Sequence, residues 1–179
     1  MSKKTGWSIA GLGFAVLVIL LIVANLQDGT TTNEATVDVK QLVEDYSLGK
    51  IQSQSASITS HQLIVTNSDK SQVTYDLPDE EFFVSIAPYV TGTHTCAIHS
   101  LTGCRGEMPD EAFQVHIIDE TGNVVLNQSM KSYENGFLDL WLPRNQTYQV
   151  TITHDGRTQS SEISTYEGDD TCITTMQLI

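Results

Sequence analysis

The most reactive side chains in this sequence are three cysteines, two of which lie in one short stretch. Cys96 and Cys104 occur in THTCAIHSLTGCRGE, where His94 precedes Cys96 by two residues and His99 follows it by three. Cys172 lies much further along the chain, in DDTCITTMQLI. Thiolates together with imidazoles are the ligands that Cu(I) and Zn(II) prefer in proteins. The stretch is therefore a candidate metal-binding loop.

The spacing within this stretch allows its ligands to converge. His94 and Cys96 are two residues apart, so their side chains emerge on the same face of an extended segment. His99 is close enough to fold back in a turn. Gly103 directly precedes Cys104, and glycine permits the sharp backbone bend that brings the second thiol round.

The thioether of Met176 is a weaker candidate ligand, because in a strand it would lie too far from Cys172. Met176 follows Cys172 by four residues, which places the two side chains on one face but roughly 13 Å apart. We therefore predict that Met176 belongs to the hydrophobic core.

The amino-terminal segment predicts export from the cytoplasm. Residues Trp7 to Leu26 are almost wholly apolar and follow Lys3 and Lys4. A run of about 20 apolar residues suffices to cross a bilayer, whereas the apolar part of a cleaved signal is usually about 7 to 15 residues. Cleavage after Ala24 remains an alternative. We predict that residues 1–26 form a membrane anchor or signal segment, which places the following chain outside the cytoplasm.

The charge balance excludes some partners. Without Lys3 and Lys4 the chain carries seven basic and 22 acidic residues, a net charge of −15. Such a surface repels nucleic acid and anionic lipid headgroups but attracts metal cations. We expect no nucleic-acid partner, and we expect contact with a membrane only through the amino-terminal segment. The sequence does not determine an oligomeric state.

The segment after the predicted anchor contains a linker and a small mixed region. Residues 27–37 are polar and lack an apolar period, as flexible spacers do. The sequence DVKQLVEDYSLGK then has apolar residues at helical spacing, with Asp38 placed as the cap and Gly49 at the far end. HQLIVTNSDKSQVTYDL predicts a hairpin. We assign this helix and hairpin to residues 38–78.

The remaining sequence predicts a β-sandwich. Short β-branched and aromatic runs alternate with turn sequences such as DETGN, YENG and HDGRT, a pattern typical of antiparallel sandwiches. The block from Asn123 to Thr158 also resembles the transthyretin-like or carboxypeptidase-regulatory type of small sandwich. We therefore expect a mainly β protein, with a small antiparallel β-sandwich domain over residues 79–179.

A more specific resemblance covers the chain from about Glu81 to the end. FFVSIAPYV, THTCAIHSLTGCRGE, ENGFLDLWLPR, HDGRT and TCITTMQL, in this order and spacing, are similar to the CueP family of exported copper-binding proteins. The amino-terminal part resembles the family only loosely, and its long apolar run favours an anchored form over a free periplasmic one.

The resemblance implies copper handling in the bacterial periplasm or at the cell surface. The amino-terminal segment predicts that the protein is membrane-anchored or secreted. The resemblance also implies that Cys96, Cys104 and Cys172 receive copper, hold it as Cu(I) and can take part in reducing Cu(II). His94 and His99 occupy the motif's histidine positions, as ligands or as groups that hold a thiolate in place. A copper-requiring exported enzyme is the candidate acceptor of the metal. Whether the protein acts as an enzyme, a Cu(II) reductase, stays open.

Other functions remain open on the residues alone. Exported thiols usually occur in oxidised pairs, so a Cys96–Cys104 disulfide with Cys172 buried and inert would make the protein a structural or adhesive surface sandwich. Zinc suits the same ligands. A thiol oxidoreductase would typically use a C-x-x-C motif, and the sequence contains none.

Overall fold

The computed structural model describes residues 37–179. The predicted anchor, 1–26, and all but the last residue of the predicted linker lie outside the described residues. Within residues 37–179, no helix is long and apolar enough to cross a membrane. The secondary structure of this part consists of helix α1 (Val39–Ser47) and strands β1 (Ser55–Ile58), β2 (Gln62–Thr66), β3 (Gln72–Asp76), β4 (Glu81–Ile86), β5 (His99–Ser100), β6 (Ala112–Asp119), β7 (Val124–Lys131), β8 (Leu138–Pro143), β9 (Thr147–His154), β10 (Arg157–Ser164) and β11 (Cys172–Ile173).

The strands form three sheets, and the prediction of a mainly β, antiparallel fold is confirmed. Their strand orders are β3-β2-β1-β5, β10-β9-β6-β7 and β11-β4-β8. All pairs between these strands are antiparallel except β11 with β4, which is parallel. The predicted division of this part of the chain into a helix and hairpin region, 38–78, and a sandwich domain, 79–179, stays a prediction.

The predicted helix and hairpin are both present. The carboxylate of Asp38 accepts hydrogen bonds from the backbone N–H groups of Lys40 and Gln41, as an N-cap does. At the other end, Gly49 has a φ of 67°, which favours glycine and stops the helix. Strands β2 and β3 pair as the predicted antiparallel hairpin.

The central strand β4 is buried on both faces, because a different hydrophobic cluster covers each one. Phe82, Val84 and Ile86 pack into the core between the β11-β4-β8 sheet and the β10-β9-β6-β7 sheet. Met176 is fully buried in the same core, as predicted. Phe83 points the other way, into the cluster formed by α1 and the β3-β2-β1-β5 sheet. Strand β11 therefore pairs with a strand that is buried on both faces.

Candidate metal centre

The structure brings the three cysteines and one histidine together. The Sγ atoms of Cys96 and Cys104 lie 3.6 Å apart. One ligand atom from each of His94, Cys96, Cys104 and Cys172 lies within 4.8 Å of every other. All three cysteines are free thiols. Within residues 37–179, this is the only such group of three or more histidine, cysteine, aspartate or glutamate side chains.

A tight turn after β5 places Cys104. Its backbone N–H donates to the carbonyl of Ser100 at 2.9 Å, and the N–H of Ser100 donates to the Cys104 sulfur at 3.4 Å. The Gly103 N–H donates to the Ser100 hydroxyl at 3.0 Å. A Cβ atom at Gly103 would lie 2.8 Å from this Oγ atom, so a larger residue would make the Ser100 hydroxyl rotate away.

Strand β11 places Cys172 at the same point from a distant part of the sequence. Cys172 pairs with Ser85 of β4 in the parallel register. Its backbone N–H donates to the carbonyl of Ala97 at 3.1 Å, just after Cys96. The Cys172 side chain is only 2% exposed. The backbone therefore holds this sulfur against the loop that carries the other two.

His99 lies beside the four-residue group but is not part of it. Its Nδ1 is 3.5 Å from the Cys172 sulfur, and the residue is fully buried. Its ring packs against Phe137 with centroids 4.6 Å apart. The Nε2 atom has no hydrogen-bond partner among the described residues. The His99 ring therefore contacts the Cys172 thiol on the buried side of the site.

His94 and Cys96 lie on the open side. They line a surface cavity of about 410 Å³, together with Cys172 and Asp170. The Cys96 thiol donates to the carbonyl of Ile98 at 3.2 Å, and it is more exposed than the other two sulfurs. An ion can therefore reach the sulfurs from this cavity.

The three thiols differ in acidity. Hydrogen bonding from the Cys172 thiol lowers the pKa of Cys104, and the Ser100 N–H and the two nearby imidazoles act in the same direction. The hydrogen bond to Cys104 raises the pKa of Cys172, and burial adds to this. Burial is also the main cause that raises the pKa of Cys96. Cys104 is therefore the thiol that most readily becomes a thiolate, the form that binds metal.

Sequence reasoning missed two supports of the site. Phe137 forms part of the wall around the thiols, and it reaches them because Gly106 and Gly136 are in contact. A Cβ atom on Gly106 would lie 2.4 Å from the carbonyl oxygen of Gly136. Neither residue lies in a pattern that links the two segments, so only the packing reveals the contact.

Asp139 is the second missed support. Ser85 of β4 pairs with Asp139 of β8 on one side and with Cys172 of β11 on the other, so the three residues lie side by side across the sheet. Its carboxylate accepts hydrogen bonds from the hydroxyls of Ser47 and Ser85. Desolvation nevertheless raises the pKa of Asp139. This carboxyl group therefore links α1 to strands β4 and β8.

The chain is similar to a known protein family and to a solved structure. Residues 38–177 match the family described as "Periplasmic copper-binding protein CueP". The protein in "Crystal Structure of S.CueP" is 39% identical in sequence, and the match covers 81% of this chain and 92% of that chain with a TM-score of 0.75. No curated protein matches the chain in sequence. The family match spans most of the chain and includes all three cysteines, so the chain belongs to the CueP family of periplasmic copper-binding proteins.

Proposed function

We propose that this protein holds Cu(I) outside the cytoplasm through the sulfurs of Cys96, Cys104 and Cys172. The observation that carries the proposal is the convergence of three reduced sulfurs within 4.8 Å of one another. Soft thiolates select Cu(I), and carboxylates are absent from the group of ligand atoms. His94 is the candidate fourth ligand, and His99 holds the Cys172 thiolate in place.

The distance between the Cys96 and Cys104 sulfurs suits a shared ion. A metal–sulfur bond of about 2.3 Å implies sulfurs about 4.0 Å apart around a trigonal ion and about 3.8 Å apart around a tetrahedral one. The Cys96 and Cys104 sulfurs, at 3.6 Å, need to separate by only a few tenths of an ångström. This adjustment is within reach of the exposed loop that carries Cys96.

Zinc is the second candidate, because three cysteines and one histidine are also a tetrahedral zinc set. The two ions differ in what they require of His94. A trigonal Cu(I) site needs only the sulfurs, whereas tetrahedral Zn(II) needs the imidazole as well. Replacement of His94 by alanine should therefore weaken zinc binding much more than Cu(I) binding.

We further propose that the thiols can reduce Cu(II). When Cys96 and Cys104 form one disulfide, two protons and two electrons leave, and two Cu(II) ions become two Cu(I) ions. Their sulfurs must approach by about 1.5 Å to reach the bonded distance. Both sulfurs then leave the ligand set, so reduction and three-sulfur storage are successive states. Only Cys172 and the histidines would remain to hold Cu(I), until an external dithiol restores the two thiols.

The physiological part of the proposal is that the protein sequesters copper or delivers it, as a chaperone or in copper resistance. A copper-requiring exported enzyme is the candidate acceptor. The amino-terminal segment would hold the protein at the membrane, or release it if cleaved. The cavity beside Cys96 is the side from which an acceptor would take the ion.

The central experiment titrates Cu(I) into the reduced protein against a competing chelator. Wild-type protein should bind one Cu(I) tightly, and a variant with all three cysteines changed to serine should not compete. Equal affinity of the two proteins would refute the proposed site. A permanent Cys96–Cys104 disulfide in mass spectrometry, with no metal uptake after reduction, would instead support a structural surface sandwich.

Reduction has its own test. Reduced protein should convert two equivalents of Cu(II) to Cu(I), detected with a Cu(I)-specific chelator, while mass spectrometry follows disulfide formation. Conversion that persists after Cys96 is changed to serine would exclude the proposed dithiol.

A further inference from the structure

A carboxylate outside the ligand group joins the two segments that carry Cys96 and Cys104. Glu107 accepts hydrogen bonds from the backbone N–H groups of Val90, Thr91 and Gly92, with shortest distances of 3.3, 3.0 and 2.8 Å. The Thr91 hydroxyl donates to the same carboxylate. We call this set of contacts the Glu107 clamp. The hydrogen bonds lower the pKa of Glu107 to about 2, with the Gly92 N–H contributing most. The carboxylate therefore stays ionised at neutral pH.

The clamp lies at one end of a segment whose backbone makes no backbone hydrogen bonds to the described residues. We call residues 93–96 the arm, because they carry His94 and Cys96. Their backbone groups make no backbone hydrogen bond to any described residue. At the far end of the arm, the carbonyl of Ala97 accepts from the N–H groups of Thr171 and Cys172 at 2.9 and 3.1 Å. The arm is thus fixed at Gly92 by the clamp and at Ala97 by β11.

The backbone that carries the other two sulfurs is held by more contacts. Cys104 and Cys172 are buried, and each has a backbone N–H in a hydrogen bond. Segments with few backbone hydrogen bonds and little burial open at low free-energy cost. The arm is therefore the part of the site that can leave a bound ion while the Cys104 and Cys172 sulfurs remain in place.

We propose that Glu107 is a positioning residue that holds the arm over Cys104 and Cys172 and thereby sets how slowly a bound Cu(I) ion is released. This inference rests on the proposed Cu(I) site. It assigns the clamp a role in retaining the ion rather than in binding it directly. The arm moves the Cys96 sulfur, and Glu107 limits that movement through Gly92.

The size of the effect follows from the length of free chain. With the clamp removed, the next anchor before the arm is Val90, whose carbonyl accepts from the Gln177 side-chain amide at 3.2 Å and whose side chain packs against the core. The free segment then lengthens from four residues to six, and loop-closure entropy alone lowers the local concentration of the Cys96 sulfur about twofold. Disorder of the two released residues, Thr91 and Gly92, adds to this. We expect Cu(I) release to become about tenfold faster.

The experiment compares Glu107→Ala, Glu107→Gln and Thr91→Val with the full-length wild-type protein. Glu107→Gln keeps an acceptor oxygen without the charge, and Thr91→Val removes only the hydroxyl contact, so both should give smaller effects than Glu107→Ala. Glu120→Ala is the matched charge control, because Glu120 is an exposed carboxylate in the turn after β6 and takes no part in the clamp or in the cavity beside Cys96. In about 0.5 M salt, where exposed charges are screened, this control should change the release rate less than twofold.

Two measurements separate this inference from the proposed function. The first is the rate at which excess chelator removes Cu(I). The second is the alkylation rate of each cysteine in the metal-free protein, resolved by mass spectrometry. Glu107→Ala should raise the alkylation rate of Cys96 while those of Cys104 and Cys172 stay within twofold of wild type.

The outcomes are distinct. If wild-type protein does not bind Cu(I), the proposed function fails, and selective alkylation of Cys96 still tests the arm. If wild-type protein binds Cu(I) but Glu107→Ala changes neither rate by twofold, the positioning role is overturned. Equal acceleration at all three cysteines would also overturn it, because general loosening of the fold does not require a clamp.

Discussion

Replacement of Cys172 by serine tests whether a sulfur from β11 completes the site. Serine differs from cysteine in one atom, and the backbone N–H of residue 172 keeps its bond to Ala97. The side chain is 2% exposed, so the new hydroxyl lies in the same enclosed position. The change therefore removes a soft ligand and leaves the strand pairing of β11 with β4 intact.

The expected loss can be worked out from the number of ligands. Structural zinc sites with four ligands contribute about 10 to 16 kcal/mol in total, or about 3 kcal/mol per ligand. A hydroxyl is a poor ligand for a soft ion, so Cys172→Ser should lose most of the binding free energy that one ligand contributes. Since about 1.4 kcal/mol corresponds to a factor of ten, Cu(I) affinity should fall roughly 100-fold.

The assay is Cu(I) competition against a chelator, with thermal unfolding measured on the metal-free proteins. Met176→Leu is the matched control, because it removes a buried sulfur that lies in the main core rather than at the thiols. The control should bind Cu(I) as wild type does. A folded Cys172→Ser protein whose Cu(I) affinity is within threefold of wild type would refute the three-sulfur site.

Three further substitutions test the supports of the site. Phe137→Ala removes a fully buried ring beside His99 and should lower the free energy of unfolding by about 3 to 5 kcal/mol in urea titrations; a loss below 1 kcal/mol would contradict the packing. Gly106→Ala forces a Cβ against the Gly136 carbonyl and should cost about 1 to 3 kcal/mol, with weaker Cu(I) binding in the competition assay; unchanged stability and binding would show that the contact is unimportant. Asp139 has a raised pKa, so its contribution to stability is greatest below its unfolded pKa of about 3.9 and is lost as the pH rises through the folded value. Asparagine at position 139 does not titrate. The free energy of unfolding of Asp139→Asn, measured in urea, should therefore rise relative to that of wild type from pH 4 to pH 7, and a difference between the two proteins that is independent of pH would refute this.

Local patterns in the sequence predict most of the elements. The cap at Asp38 and the glycine at Gly49 fix the helix, and the β-branched runs identify the longer strands. β1 was not predicted, because SASI lacks a β-branched or aromatic run and is a strand through its pairing with β2 on one side and β5 on the other. The parallel pairing of β11 was also missed, since a two-residue strand carries no directional pattern.

The sequence predicts the candidate ligands but not the separate positions of the two histidines. The spacing of His94, Cys96 and Cys104 indicates a metal loop, and the family resemblance adds Cys172. Sequence reasoning could not separate the roles of the two histidines, because their spacings from Cys96 are similar. Burial separates them, since His99 is enclosed between Phe83 and Phe137 while His94 lines the open cavity.

The meeting of Cys172 with the loop of Cys96 and Cys104 exists only in the native chain, because β11 and the loop are far apart in sequence. An unfolded chain offers no equivalent three-sulfur site, so a Cu(I) ion held at the proposed site would stabilise only the native state. At a free Cu(I) concentration 1,000 times the dissociation constant, this stabilisation would be about 4 kcal/mol. The loaded protein would therefore resist proteolysis more than the metal-free one, and its lifetime in the cell envelope would follow the copper supply.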